Sequence, residues 1–266
     1  MPLHLYLSPH LDDAVLSCGG LIARQTRRGD EVIVLTLCAG SAPDRLSAFA
    51  RFQHERWLAG ASDTDVVALR RREDEAACAQ LGARALHLPL RDCIYRQDAE
   101  GRWLYTEEAA LLGPPHPADD PTAWQATLEP WLERLQPDFV YAPLAVGNHV
   151  DHQLTRQVAD RWVEAGRPIL FYEDFPYSEA VTALWHSLNR HLEWSWARRI
   201  WRLQSEDVEA KVTALACYRS QIAVLFPNDG LRSRVLAQLA RTGAPDWAEA
   251  LWQPLPTPSA PLRFPP

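Results

Sequence analysis

Two short apolar runs, Leu3 to Leu7 and Glu31 to Leu37, bracket one turn and one helical stretch, and this spacing constrains the fold more than any other feature. Between them, Ala14 to Arg28 places Leu16, Leu21 and Ile22 on one face, and Gly29-Asp30 ends the pattern. Strand, helix and strand in so short a span form a βαβ unit, right-handed by default. The second run is apolar at alternate and intervening positions alike, as in a parallel strand covered by helices on both faces. Strands are expected again at Ala85–Leu88, Asp138–Tyr141 and Pro168–Tyr172, with helices at Val66–Leu81, Pro121–Leu135 and Gln153–Ala165 between and after them. The alternation specifies an α/β chain: a three-layer sandwich around a mostly parallel sheet, with its chemistry at the carboxyl ends of the strands.

Two strand ends carry that chemistry. The first run is followed by Ser8-Pro9-His10-Leu11-Asp12-Asp13, and Phe139 to Ala142 is followed shortly by Gly147-Asn148-His149-Val150-Asp151-His152. Each is a turn that opens into a helix. Imidazoles and carboxylates brought together from two strand ends suit a divalent metal with open coordination positions. Asp12 and Asp13 are neighbours whose side chains diverge, so one ligand and one base is the arrangement that geometry supports; spacing does not say which is which. His149 and His152 share a face if the helix has already begun, and Asp151 between them either orients an imidazole from behind or caps the helix.

These motifs resemble those of the LmbE/PIG-L family of zinc-dependent deacetylases, which remove the acetyl group from N-acetylglucosamine units. The family's Pro-His-Pro-Asp-Asp reads Pro9-His10-Leu11-Asp12-Asp13, with Leu11 replacing the second proline, and its His-x-x-His reads His149-Val150-Asp151-His152. Arg70, Glu73, Ala77 and Leu81-Gly82 match a further family pattern, as do Lys211, Ala214, Tyr218, Ser220 and Gln221. The resemblance covers residues 3 to 222 and implies a Rossmann-like fold. It implies His10, Asp13 and His152 as metal ligands, Asp12 as general base, and His149 as the group that polarises the amide carbonyl or protonates the leaving amine. It also moves Arg70 towards a site role and makes Asp92, which follows the third strand, a contact for substrate hydroxyls. Glu173 and Asp174 end the fifth strand, and Glu173 is taken as a further substrate contact. The expected cofactor is Zn2+, with Fe2+ or another divalent ion compatible with the same ligands. The expected activity is removal of an N-acetyl group from an N-acetylglucosamine-type glycoconjugate. The alternatives are a related metal amidase acting on another N-acyl substrate, or a sugar-binding protein without turnover.

Composition narrows the partners. With 27 basic and 34 acidic residues the net charge is −7, which argues against general nucleic-acid binding. No apolar run is long enough for a membrane span, and Met1-Pro2-Leu3 enters the first strand with no secretory leader. Five dispersed cysteines read as reduced thiols of a cytoplasmic protein. The expected partner is a small glycoconjugate, with neither nucleic acid nor membrane, and a homo-oligomer is allowed. There is no Gly-x-Gly-x-x-Gly at the first turn, so a dinucleotide site is disfavoured.

Elsewhere, a helical patch is expected at Leu46–Leu58 within a long connection, and Arg71 and Arg72 are expected to face solvent. His87 reads as a packed histidine. Residues 96–121 read as an insertion that could flap over the site, a strand is expected at Leu192–Trp196, and helices at Ser205–Ser220 and Leu231–Arg241. One catalytic domain over 1–253 and a proline-rich tail over 254–266 complete the organisation.

Overall fold

The first apolar run forms β1 (Leu3–Ser8), and the chain then alternates as α1 (Asp13–Arg27), β2 (Glu31–Thr36), α2 (Ala48–Leu58), α3 (Val66–Gln80) and β3 (Arg84–His87). A short α4 (Glu108–Leu111) precedes α5 (Pro121–Leu135), β4 (Phe139–Pro143), α6 (Val150–Glu164), β5 (Ile169–Tyr172) and α7 (Val181–Leu188). The last part comprises β6 (Ser195–Leu203), α8 (Ser205–Leu215), α9 (Arg219–Leu225), α10 (Leu231–Gly243) and β7 (Trp247–Leu255). The structure is a computed structural model that describes residues 1–58, 65–191, 194–226 and 230–255.

The seven strands lie in the order β3-β2-β1-β4-β5-β7-β6. The first five pair in parallel, with Leu5 opposite Ile33 on one side and Val140 on the other, and β7 runs antiparallel to both β5 and β6. Alternation along each strand divides the core. Tyr6, Val34, Tyr141 and Leu170 face α1, α3, α8 and α10, whereas Leu5, Leu7, Ile33 and Phe171 face α5 and α6. Both faces are covered by helices, which is why the side chains of β1 and β2 are mostly apolar, with the polar ones His4, Ser8, Glu31 and Thr36 towards the strand ends. Truncating a fully buried side chain here, such as Phe171, costs about 3–5 kcal/mol.

This strand order positions the site. From β1 the chain crosses to β2 and β3 on one side, then returns to β4 on the other. The reversal leaves a crevice outside the carboxyl ends of β1 and β4, where ligands bind in open α/β sheets. The two His-bearing turns follow these two strands. They are far apart in sequence and adjacent in space.

Helix α1 is packed by an unusual device. Its mid-helix amides Gly20 N and Leu21 N donate to the Glu249 carboxylate at 3.1 and 2.7 Å. Lys211 Nζ donates to Glu249 Oε1 at 2.6 Å and stands 3.4 Å from Ser17 O, the carbonyl one turn before Leu21. Both charged side chains are almost wholly buried. The approach is close: a Cβ on Gly20 would lie 2.4 Å from Leu203 Cδ1 and 3.2 Å from Glu249 Oε1, so a larger residue would make the Leu203 side chain shift.

Several boundaries differ from those expected. The helix anticipated at Ser205–Ser220 is two, α8 and α9, because the chain turns to bring Tyr218 Oη to Asp74 (2.7 Å) and the Ser220 amide to Glu73 (2.9 Å). Strand β6 begins at Ser195, and residues 192–193 of the expected strand lie outside the described residues. Strand β7 was not anticipated. It runs through Pro254 and Leu255, which pair with Trp196 and Ser195, so the stretch expected to be tail begins as paired strand. Residues 256–266 lie outside the described residues. Arg71 is not a free surface residue, because its Nε donates to Ala39 O at 2.7 Å. His87 is packed as expected, its Nε2 2.8 Å from Asp74. No helix among the described residues is long and apolar enough to cross a membrane.

Candidate active site

The first turn is held by its own side chains. Ser8 Oγ donates to His10 O at 2.6 Å and accepts from Ala14 N at 3.1 Å. Asp13, the first residue of α1, reaches back to accept from His10 N at 2.8 Å. Leu11 is buried, so packing anchors the turn where the family pattern has a proline ring. The second turn needs left-handed backbone at Ala145, Gly147 and Asn148. At Gly147 a Cβ would meet the Tyr177 ring at 2.7 Å, so only glycine fits. His149 then caps α6, its Nδ1 accepting from Asp151 N at 3.3 Å.

These turns bring His10, Asp13 and His152 together. Asp13 Oδ2 lies 3.1 Å from His10 Nδ1 and 3.2 Å from His152 Nε2. Each imidazole has its far nitrogen held by a second carboxylate: His10 Nε2 by Asp151 at 2.9 Å, and His152 Nδ1 by Asp174 at 2.6 Å. Burial works against charging His152, but Asp13 and Asp174 lift its pKa to about 9. Burial likewise opposes a charged His10, yet its hydrogen bond to Asp13 and the charges around it hold it well above the imidazole range. Asp13 is buried too, and the two imidazoles keep it well below the usual carboxylate range. Two imidazole nitrogens and one carboxylate oxygen, each imidazole backed by a carboxylate, form a donor set that zinc takes in hydrolases, with a position left open.

Two groups flank this set. Asp12 is 5% exposed, and burial followed by the charge of Asp13 pushes its pKa up to about 7. Arg70 on α3 opposes that rise, with its guanidinium 3.8 Å from Asp12 Oδ2 and 4.6 Å over the Trp57 ring. His149 is held well below the usual imidazole range by burial and then by the charge of His10. Because Nδ1 accepts a hydrogen bond from Asp151 N, Nε2 is the nitrogen placed to donate.

A crevice of about 280 Å³ opens over these groups. Gln53, Arg56 and Trp57 of α2 line one part of it; Glu108, Leu111 and Leu112 of the 96–121 segment, with Phe175 and Tyr177, line another. Asp92 also lines it and accepts from Ile94 N at 3.2 Å, starting a 3-10 turn. Glu173 does not. Its Oε1 accepts from Trp252 Nε1 at 2.8 Å and from Arg198 Nε at 3.2 Å, against the antiparallel edge of the sheet. Expectation erred by one residue: adjacent side chains at a strand end point to opposite sides, and Asp174 faces the site.

Sequence reasoning also missed Arg96, whose buried guanidinium pairs with Asp151, and the aromatic wall of Trp57 and Tyr177. Asp174 had a signal, since β5 lies next to β4 and its carboxyl end opens on the same crevice. Arg96 had none, because it lies in the least patterned part of the chain.

Comparison with known proteins agrees with this geometry. A family model described as PIG-L, GlcNAc-PI de-N-acetylase, matches residues 5–163. The chain is 30% identical over 239 residues to a 2'-N-acetylparomamine deacetylase of Niallia circulans, covering 85% of this chain and 82% of that one. It is 34% identical over 248 residues to a 2'-N-acetylparomamine deacetylase of Streptomyces fradiae, covering 91% and 79%. Its structure superposes on the zinc-inhibited form of teicoplanin deacetylase Orf2 with a TM-score of 0.82 at 28% identity, covering 97% of this chain and 100% of that one. With the match spanning more than half of its length and both His-bearing turns, the chain belongs to the PIG-L family of de-N-acetylases.

Proposed function

We infer that the crevice is the active site of a metal-dependent hydrolase that removes the N-acetyl group from an N-acetylglucosamine-type glycoconjugate. One observation carries this reading: Asp13 Oδ2 stands between His10 Nδ1 and His152 Nε2, and each imidazole is braced from behind. In this reading those three residues hold Zn2+. Zinc supplies a Lewis acid for the acyl carbonyl and for water. Asp12, with its pKa near neutrality, takes the proton of the attacking water and returns it to the leaving amine. His149 donates from Nε2–H to the developing oxyanion as a neutral imidazole, so of the two roles the resemblance allows it, polarising the carbonyl is favoured over protonating the amine. Arg70 steadies the ionised form of Asp12. Asp92 and Trp57, which both line the crevice, take the sugar. Asp151 orients His10.

The conjugates named for the relatives, 2'-N-acetylparomamine first and a teicoplanin-type glycopeptide second, are the substrates to test. Purified protein is expected to hold about one zinc per chain and to release acetate from at least one of them. Bound metal without acetate release from any acetylated amino sugar would return the reading to a sugar-binding role. No metal after chelator-free purification would remove its basis. We place the protein in the cytoplasm, in keeping with five free cysteines, four of them buried.

A further inference from the structure

The 96–121 segment does more than wall the crevice. Its first residue, Arg96, turns inward from the end of the 3-10 turn Cys93–Tyr95, into a pocket of two carboxylates and two rings. Arg96 NH2 forms an ion pair with Asp151 Oδ1 at 2.5 Å, and its Nε forms another with Asp119 Oδ1 at 3.0 Å. Its guanidinium carbon lies 5.4 Å from the Tyr105 ring centroid and 5.5 Å from that of Trp124. Tyr105 closes the circuit by donating to Asp119 Oδ2 at 2.5 Å. Asp151 is fully buried and spends its other oxygen on His10 Nε2 (2.9 Å) and Cys93 N (3.1 Å).

The order of contacts is Asp119, Arg96, Asp151, His10. A carboxylate with no water around it rotates or recruits another partner unless both oxygens are held. Asp151 has two directional donors on Oδ2, and on Oδ1 only Arg96 among the described residues. We propose that Arg96 is a positioning residue for the metal centre: it fixes the Asp151 carboxylate, which engages His10 Nε2 and so turns Nδ1 towards the position shared with Asp13 and His152. The requirement is for arginine in particular. A planar fork can bridge two carboxylates while its faces lie against two aromatic rings, and an ammonium cannot. The segment that shapes the substrate crevice is thereby fastened to a metal ligand.

This inference rests on His10 being a ligand, and the test separates the two. Zinc affinity is measured by competition with a chromophoric chelator for the wild-type chain, Arg96→Met, Arg96→Lys, Asp151→Asn and the Arg96→Met/Asp151→Asn double variant. Cobalt-substituted samples report coordination through their visible absorption. The wild-type chain is expected to bind tightly, and Arg96→Met to lose about 10–100-fold in affinity, the range for residues that brace a ligand. Arg96→Lys recovers part of that loss. The double variant is expected to bind about as weakly as Asp151→Asn alone, because the two residues act in series. The cobalt spectrum should shift in Arg96→Met and in Asp151→Asn alike. If Arg96→Met does not fold, Arg96→Lys keeps the charge and still has to show weakened binding. Wild-type affinity in a folded Arg96→Met or Arg96→Lys, or full additivity in the double variant, would overturn the proposal. A wild-type chain that binds no zinc would overturn the metal reading itself, and this inference with it.

Discussion

Two clusters of buried charge lie on either side of α1, and they are built to opposite ends. At the carboxyl edge of the sheet, His10 and His152 each turn a ring nitrogen to Asp13 Oδ2, and all three residues line the crevice. Deeper in the fold, Lys211 and Glu249 point their polar atoms at one another and at the backbone of α1. Both clusters cost desolvation free energy. The second recovers it by completing hydrogen bonds within the protein. The first makes internal contacts too, but on the wall of a crevice. What distinguishes the two here is access, since burial is nearly the same in both: one cluster lines a crevice, and the other is spent on the backbone of α1.

The largest expected effect breaks the first cluster without touching the second. His152→Ala removes one ligand, so it should lose both bound zinc and acetate release while the fold persists; full zinc content in that variant would refute the ligand assignment. Asp12→Asn separates base from ligand within the same turn. It should keep its zinc and lower kcat by about 10²–10⁴-fold, the usual contribution of a general base; unchanged kcat would remove Asp12 from the reaction.

The second cluster gives the converse result. Glu249→Ala strands Lys211 and two helix amides, and urea denaturation should show a loss of about 3–5 kcal/mol. A Lys211→Met/Glu249→Leu double replacement should recover much of that loss, whereas equal losses in the single and double variants would mean that the pair is not coupled. Activity per folded molecule is expected to stay at the wild-type level in the double variant.

A third buried group sharpens the contrast with the smallest effect. His4, at the amino end of β1, meets Tyr141 Oη and Gln25, and its nearest carboxylate, Asp30, stands 3.5 Å away. Burial lowers its pKa from 6.5, whereas His152, with two carboxylates at close range, is raised. A depressed folded-state value means that the unfolded chain binds the extra proton first. The stability His4 contributes is therefore present above about pH 6.5 and lost as pH falls towards its folded-state pKa. Relative to His4→Gln, the wild-type chain should lose stability on acidification below pH 6.5; parallel pH profiles for the two would contradict this.

Much of this architecture can be read directly from residues. The strand–turn–helix pattern at Leu3–Arg28 and its repeat at Phe139–Ala165 specify a parallel sheet, and two turns with His and Asp at fixed spacing specify where its chemistry sits. Five parallel strands, the helices between them and the meeting of the two His-bearing turns follow from local pattern plus one topological rule, whereas the choice of Asp13 over Asp12 as the partner of His10 and His152 comes from the family resemblance. The parts that escaped depend on long-range partners. β7 carries Glu249 as its third residue, which breaks the apolar pattern, and its role appears only once Lys211 and α1 are beside it. Glu173 and Asp174 are chemically alike, and only the direction of the last residues of β5 decides which one braces His152. Arg96 lies among turn-forming residues without periodicity, so nothing local marks it as interior.

The contact between Arg96 and Asp119 has a practical consequence for altering what the enzyme accepts. It joins the two ends of the excursion formed by residues 97–118 into a closed neck, with Arg96 also seated on Asp151. Beyond the neck, Glu108 and Leu111 line the crevice and can be exchanged, whereas Tyr105 has to be kept because it packs on Arg96 and donates to Asp119. A donor loop from another deacetylase, spliced between an intact Arg96 and an intact Asp119, inherits a ready-made clasp. Splice points placed one residue further out would replace Arg96 and Asp119 and so remove that clasp.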